Sequence, residues 1–437
     1  MGSEWKTFAL GDLVDVFDGP HATPKKAESG PIFLGISNLS RGRIDLANRE
    51  HVSEEDYGRW TRRVTPSSGD VVFSYETRLG EAALIPDGLK CCLGRRMGLL
   101  RPKDGRVDAR FLLYAYIGSE FQETIRQRTV YGSTVDRIPL IEMPGFPIRL
   151  PDTRTQRAIA HILGTLDDKI ELDRRMNETL EAMARALFKS WFVDFDPVHA
   201  KAEGRQPTGM DTATAKFFPH EFEKSDVGEI PRGWTRAPLG NWASSLSGGT
   251  PSKGDAFLWG GPLPWISPKV MTSIHADEAE DFVTPNAVGN GTRIAPSGST
   301  LVMVRGMGLH HEVRVSQARR DVTFNQDVKA LVPDGIEASL LLFAMLDGQA
   351  ELLGRVESSG HGTGKLPSEI LLGHSITMPP AREQKHLARI LDALNDRIAS
   401  SRQETRALAA MRDELLPRLL SGELEVSTPD RLTEASA

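Results

Sequence analysis

Clusters of histidine, cysteine and carboxylate would let this chain hold a metal or move a proton, and such clusters are scarce. His310-His311-Glu312 lacks the i, i+4 histidine spacing that puts two ligands on one helical face, and no third ligand follows nearby. Cys91 and Cys92 are the only cysteines. Neighbouring cysteines make a poor disulfide and supply half of a four-ligand zinc site, so two small semi-buried thiols are expected. Arg305-Gly-Met-Gly308 is a glycine pair without a dinucleotide or phosphate-loop pattern, and a strand-end turn explains it better. Pro86-Asp-Gly-Leu-Lys90 has the flavour of a nuclease motif, but the second carboxylate and lysine do not follow. Asp194 and Asp196 lie after a helix with no acid or base partner that the sequence can place. The chain carries no adenosylmethionine-binding motif and no Asn-Pro-Pro-aromatic or Asp-Pro-Pro-aromatic signature. The expectation is a chain without catalytic residues, metal site or cofactor of its own.

The elements that would position any site are legible through an internal duplication at a shift of about 230 residues. Trp5, Leu10 and Gly11 return as Trp234, Leu239 and Gly240, and the turn from Gly19 to Pro24 has a counterpart in Gly248 to Pro251. Gly35-Ile36-Ser37 faces Trp265-Ile266-Ser267, and Thr65-Pro66 through Val71-Val72 faces Ala295-Pro296 through Leu301-Val302. Pro151, Arg154 and Gln156 match Pro379, Arg382 and Gln384, and Ile162-Leu163 through Asp168 and Ile170 matches Ile390-Leu391 through Asp396 and Ile398. Each repeat has a globular half, then a proline-marked start of a long helix. Short apolar runs bounded by Gly, Pro, Asn and Asp read as strands with turns, and one helix-like stretch lies in each half, 109–128 and 336–356. The fold class is α+β, with twisted mixed sheets in each half.

The two helices differ in kind from the rest. Ile159, Leu163, Leu166, Ile170, Asp173, Asn177, Leu180, Ala184, Leu187 and Trp191 fall at alternating steps of four and three. Leu387, Leu391, Leu394, Ile398, Ser401, Thr405, Leu408, Arg412, Leu415 and Leu419 do the same. That period is the seam of a coiled coil, and both seams turn polar at the same place, Asp173 with Asn177 and Ser401 with Thr405. The simplest partner for each helix is the other. A helix of about 35 residues spans roughly 50 Å and makes a rigid spacer. Antiparallel packing would relate the repeats by a pseudo-twofold axis. The expected organisation is a globular half over 1–150, a helical spacer over 151–196, a linker over 197–232, a second half over 233–378, a second spacer over 379–422 and a tail over 423–437.

Two similar but divergent modules on a spacer suit DNA, where half-site spacing follows protein geometry. The halves share a frame but differ in loops, as in 130–137 against 358–365. Nearly the whole chain also resembles the specificity subunits of type I restriction-modification enzymes. The residues that carry the resemblance are the Pro-x-x-x-x-Gln starts at Pro151 and Pro379, the repeated Ile-Leu-x-x-Leu-x-Asp-x-Ile segment, Phe188 to Pro197, and Leu415 to Leu424. The resemblance implies two target-recognition domains that each read one part of a bipartite, asymmetric site in double-stranded DNA. It further implies helices that fix an unspecified spacer and dock two methyltransferase subunits, with two motor-nuclease subunits joining for restriction. Those partners would bring S-adenosylmethionine, ATP and Mg2+. A free-standing methyltransferase or nuclease, and a scaffold that binds proteins only, are the competing readings.

Candidate DNA contacts follow from that frame. The loop before each long helix ends in a matched cation, Arg137 or Lys365, with Tyr131, Ser133 and Thr134 in the first copy and His361 and Thr363 in the second. Arg62, Arg63, Arg78, Arg95 and Arg96, and Lys253, Lys269, Arg305, Arg314, Arg319 and Arg320, are candidates for phosphate or guanine contacts. Tyr75, Asn325 and Gln326 could meet bases or sugars, though Tyr75 at strand spacing is as easily a core residue. Trp191 and Phe192, with Leu419 and Leu420 in the equivalent place, read either as an exposed patch for partner docking or as residues buried between the two helices. The formal net charge of -6 sets a mild counterweight to DNA binding, though acidic residues crowd into the helical and linker segments. No apolar stretch approaches the roughly 20 residues of a membrane helix, and no export signal opens the chain, so a cytoplasmic location is expected.

Overall fold

The structure is a computed structural model that describes residues 5–132, 135–226, 228–358 and 362–426. Each globular half is closed by its own first and last strands. Lys6–Ala9 pairs antiparallel with Pro147–Leu150, and Thr235–Pro238 pairs with Ser375–Met378. This pairing delivers the chain directly from the last strand, through Pro151 or Pro379, into a long helix. Those helices run Thr153–Phe192, 40 residues, and Ala381–Ser421, 41 residues.

The chain separates into two units, one holding residues up to Leu172 with those from Thr405 onward, the other Asp173–Glu404. In the first, four antiparallel strands lie in the order Val14–Asp18, Met97–Pro102, Val71–Ser74, Ala82–Leu84. A second sheet orders Glu50–His51, Ala27–Leu34 and Cys91–Leu93, the last two parallel. The second unit repeats the plan. Its four-stranded sheet orders Ala243–Ser247, Val328–Pro333, Thr300–Met303 and Val315–Gln317, and Trp259–Ile266 lies parallel to Val322–Phe324 in its other sheet. Both cysteines are buried as free thiols, and burial pushes Cys91 up to about 12, so they behave as small apolar residues.

The helical stretch of each half is broken in two by a glycine. Ala109–Ile117 gives way to Ser119–Arg128 at Gly118, and Ala338–Asp347 to Gln349–Leu353 at Gly348. A Cβ on Gly118 would stand 2.5 Å from the Leu420 side chain, and one on Gly348 would stand 2.7 Å from the His374 ring, so close packing sets both breaks.

Every residue of both predicted seams is buried or half-buried. In the first unit Ile159 and Leu163, early in the first long helix, share a core with Leu415 and Leu419, late in the second. In the second unit Ala184 and Phe188, late in the first helix, share a core with Leu387 and Leu391, early in the second. The helices therefore pair antiparallel. In the first unit, beyond the polar lapse, buried Arg412 of the second helix bonds Asp167 of the first at 2.8 Å.

The stretch expected as a linker carries structure of its own. Asp196–Ala202 and Thr212–Ala215 are helical, Phe222–Ser225 pairs with Gly228–Pro231, and Val198 and Phe218 are buried in the core of the second unit. This corrects the reading of Trp191 and Phe192. They are 5% and 2% exposed, and they pack edge-on or tilted against Phe218 and Trp234. Burial of that much aromatic surface outweighs leaving it for a partner. Leu419 is likewise buried, whereas Leu420 is half-buried beside Gly118.

Candidate nucleic-acid interface

The loops before the two helices, different in sequence, are built alike. In the first unit Arg137 bonds Val130 in both directions, at 2.9 and 3.1 Å, and lies opposite Glu76 on the run-on of the Val71–Ser74 strand. Ile138 then donates its N–H to the Tyr75 carbonyl at 2.9 Å. In the second unit Lys365 sits between Glu357 and Arg305, and Leu366 donates to the Val304 carbonyl at 2.9 Å. The matched cation is thus the middle position of a small ladder in both units, isolated bridges in the first and a three-stranded sheet in the second, with its backbone paired and its side chain exposed. Backbone pairing leaves the charge free to face a ligand. Tyr131, beside Arg137, is 74% exposed. Ser133, Thr134 and His361 lie outside the described residues. Thr363 is half-buried next to Gly362, whose φ of 73° needs glycine and whose carbonyl faces the His310 ring at 2.9 Å.

Around the first ladder the structure gathers further cations. Arg96 Nε pairs with Glu76 at 2.8 Å, and its guanidinium bonds the Thr77 hydroxyl at 3.2 Å. Both Thr77 and Arg96 are left-handed, at φ 67° and 70°. Such strain costs on the order of 1 kcal/mol per residue and concentrates at functional sites. Asp18 collects the Tyr75 hydroxyl at 3.0 Å, His21 at 2.7 Å and Arg63 at 3.2 Å. Arg62 and Arg95 are exposed beside these. Arg78 is spent within the half, on the Ile36 carbonyl at 3.3 Å and Glu81 at 3.2 Å. Tyr75 is buried, and burial with the Asp18 charge raises its hydroxyl, so it is a core residue that orients Asp18 and not an open base contact.

Around the second ladder Arg305 is exposed, and its backbone N–H reaches the Asp327 carbonyl at 3.3 Å. Gln326 accepts from the Thr250 hydroxyl at 2.7 Å, which brings the exposed Lys253 loop to this region. Asn325 is buried and spends its amide on Asp327 at 3.0 Å, so it is structural. The remaining cations are engaged within the fold. Lys269 pairs with Glu280 at 2.6 Å, and Arg314 bonds Glu312 at 3.1 Å and the Pro268 carbonyl at 2.7 Å. Arg320 reaches the Pro262 carbonyl at 3.3 Å. Arg319 turns to Asp396 on the second long helix at 2.5 Å, an ion pair within the fold.

The glutamines of the Pro-x-x-x-x-Gln starts have a role that their spacing alone did not disclose. Gln156 Oε1 accepts from the Asp108 N–H at 3.0 Å, and its Nε2 donates to the Arg106 and Pro151 carbonyls at 3.1 and 2.9 Å. Gln384 makes the matched set to Glu337, Gly335 and Pro379 at 3.3, 3.4 and 2.9 Å. One side chain therefore ties the start of the long helix to the turn that opens the helix of its globular half. Asp18, His21 and Thr250 are further polar residues near the ladders that sequence reasoning passed over, because an isolated Asp, His or Thr carries no motif. Among the described residues no His, Cys, Asp and Glu cluster could hold a metal ion, and no helix is long and apolar enough to cross a membrane.

A profile of the family described as Type I restriction modification DNA specificity domain matches residues 2–182 and 231–410. The chain is 26% identical over 469 residues to the specificity subunit of the type I restriction enzyme HindI of Haemophilus influenzae, covering 97% of this chain and 100% of that one. It is 24% identical over 396 residues to the type I restriction enzyme MjaIX specificity subunit of Methanocaldococcus jannaschii, covering 87% and 85%. Among solved structures, the type I restriction-modification S subunit from M. genitalium superposes with a TM-score of 0.58 over 95% of this chain and 96% of that one, at 16% identity, a likeness of fold.

Proposed function

Since the chain belongs to the type I restriction-modification DNA specificity family, we propose that each of its globular halves reads one part of a split, asymmetric site in double-stranded DNA, with the strand ladders at Arg137 and Lys365 against the duplex. The observation that carries this reading is the pair of ladders, one frame presenting two different loop sequences from two copies of one sheet. A common frame with divergent loops is what two unlike half-sites require. The long helices set the spacer and carry two methyltransferase subunits, and two motor-nuclease subunits complete the restriction complex. The chain contributes no catalytic group and binds no cofactor; S-adenosylmethionine, ATP and Mg2+ belong to the partners. Its place of work is the cytoplasm.

Arg137→Ala and Lys365→Ala test the interface separately, in the assembled methyltransferase complex. A cation on a phosphate adds about 0.9 to the slope of log affinity against log salt, whereas a guanine contact costs about 1–3 kcal/mol at one base pair. Each substitution is expected to weaken binding of the target duplex and, where a base is read, to relax one half of the motif only. Unchanged affinity and salt slope in both variants would refute the placement of the ladders on DNA.

A further inference from the structure

The two long helices carry a matched pair of side chains at corresponding positions, Asp167-Asp168 and Asn395-Asp396, and both pairs grip the globular half of their own unit. In the first unit the Arg110 guanidinium lies on Asp168 as a fork, Nη1 to Oδ2 at 2.9 Å and Nη2 to Oδ1 at 2.7 Å. The Tyr114 hydroxyl donates to Asp167 at 2.7 Å, and Arg412 of the other helix reaches the same carboxylate at 2.8 Å. In the second unit Arg319 lies on Asp396 at 2.5 Å, His275 Nε2 meets the Asn395 Oδ1 at 2.7 Å, and Asn395 donates to Gln317 at 2.8 Å. The helix positions correspond, but the partners do not. Arg110 comes from the helix Ala109–Ile117, Arg319 from the turn after the strand Val315–Gln317. Two unlike surfaces have arrived at one pair of helix positions.

A second observation marks the first grip as a built feature. Gly164 lies inside the long helix, one turn before Asp168, where glycine is a poor helix former. A Cβ there would stand 2.4 Å from Arg110 Nη1 and 2.7 Å from its Cδ. The glycine is the slot in which the arginine lies. Its counterpart on the other helix is Asp392, where Arg319 approaches by a different route.

Resting on the reading of the chain as a bipartite DNA reader, we propose that these pairs are clasps that fix the angle of each globular half on its helix and so limit the complex to one spacer length. Adding one base pair between half-sites moves the second by about 3.4 Å and turns it by about 35°. A half able to tilt on its helix by that amount would accept the longer site. The Arg110 fork is directional and resists such a tilt, as does the Arg319 guanidinium shared between Asp396 at 2.5 Å and Gln317 at 3.2 Å, whereas helix length alone does not. Arg110 and Asp168 are partly exposed, so their loss leaves the core intact.

The test uses the full chain in its methyltransferase complex and a set of duplexes carrying the wild-type motif with the spacer lengthened or shortened by one and two base pairs. Arg110→Gln, Gly164→Ala and Arg319→Gln are each expected to raise methylation at a neighbouring spacer at least tenfold relative to the native one, with the half-site bases unchanged. Arg110→Lys, which keeps the charge without the fork, should fall between. Gly164→Ala is the decisive variant, because alanine favours the helix and a loss of spacer discrimination there cannot be ascribed to unfolding. Spacer profiles in all three variants matching that of the wild type would overturn the clasps. A wild-type complex indifferent to spacer length would overturn the bipartite reading and the clasps together.

Discussion

Replacing Gln156 by leucine keeps nearly the same volume in a site that is 2% exposed, so it removes polar contacts without opening a cavity. Three hydrogen bonds go, leaving the Asp108 N–H and the Arg106 and Pro151 carbonyls without their partner. A bond of this kind contributes about 1 kcal/mol net, and each buried group left unmade adds about 1–3 kcal/mol. With some of the freed carbonyls reaching water, the loss comes to about 4 kcal/mol, enough to lower the melting temperature of a unit this size by about 10 °C. Gln384→Leu should cost about half as much, because two of its three contacts are stretched to 3.3 and 3.4 Å. Urea unfolding of the full chain, followed by circular dichroism with the slope compared between variants, gives both values. A loss under about 1 kcal/mol for Gln156→Leu, or a larger loss for Gln384→Leu, would refute the account of the Pro-x-x-x-x-Gln start as a side-chain tie.

Other consequences concern the core and its titration. His275 is buried, and burial, with Arg319 and Arg402 nearby, pulls it from 6.5 to about 4, against the Asn395 hydrogen bond and Asp277. A depressed histidine stabilises the fold above its unfolded pKa and loses that contribution as pH falls from 6.5 toward 4. The loss amounts to about 3 kcal/mol, and it should be missing from the pH–stability curve of His275→Gln measured beside wild type. Trp191→Ala should destabilise the second unit by about 4 kcal/mol, visible in thermal unfolding of the chain alone; unchanged stability would return the residue to the surface.

Periodicity reached far along this chain because it depends on neighbours in sequence. The seam from Ile159 to Trp191 and that from Leu387 to Leu419 are both inward as spaced, even where Asp173 and Ser401 replace apolar residues. The duplication was legible for the same reason, and it foretold that the ladders at Arg137 and Lys365 would correspond. What escaped depends on residues far apart in the chain. Arg319 and Arg137 are equal as isolated arginines, and only the Asp396 carboxylate, brought close by folding, separates an anchor from an open cation. Trp191 and Phe192 look exposed while 197–232 reads as a linker, and become core once Phe218 closes over them. Tyr75 sits at strand spacing either way, and its direction is settled by Asp18.

The claim that the two halves read separate parts of one split site is tested most directly by methylome sequencing of a host expressing the chain with its methyltransferase, with and without this chain. The account predicts an adenine-methylated, split, non-palindromic motif that disappears when the chain is removed, and in which Arg137→Ala and Lys365→Ala disturb opposite halves. An intact complex that leaves no chain-dependent motif, or a motif altered in the same half by both substitutions, would contradict it.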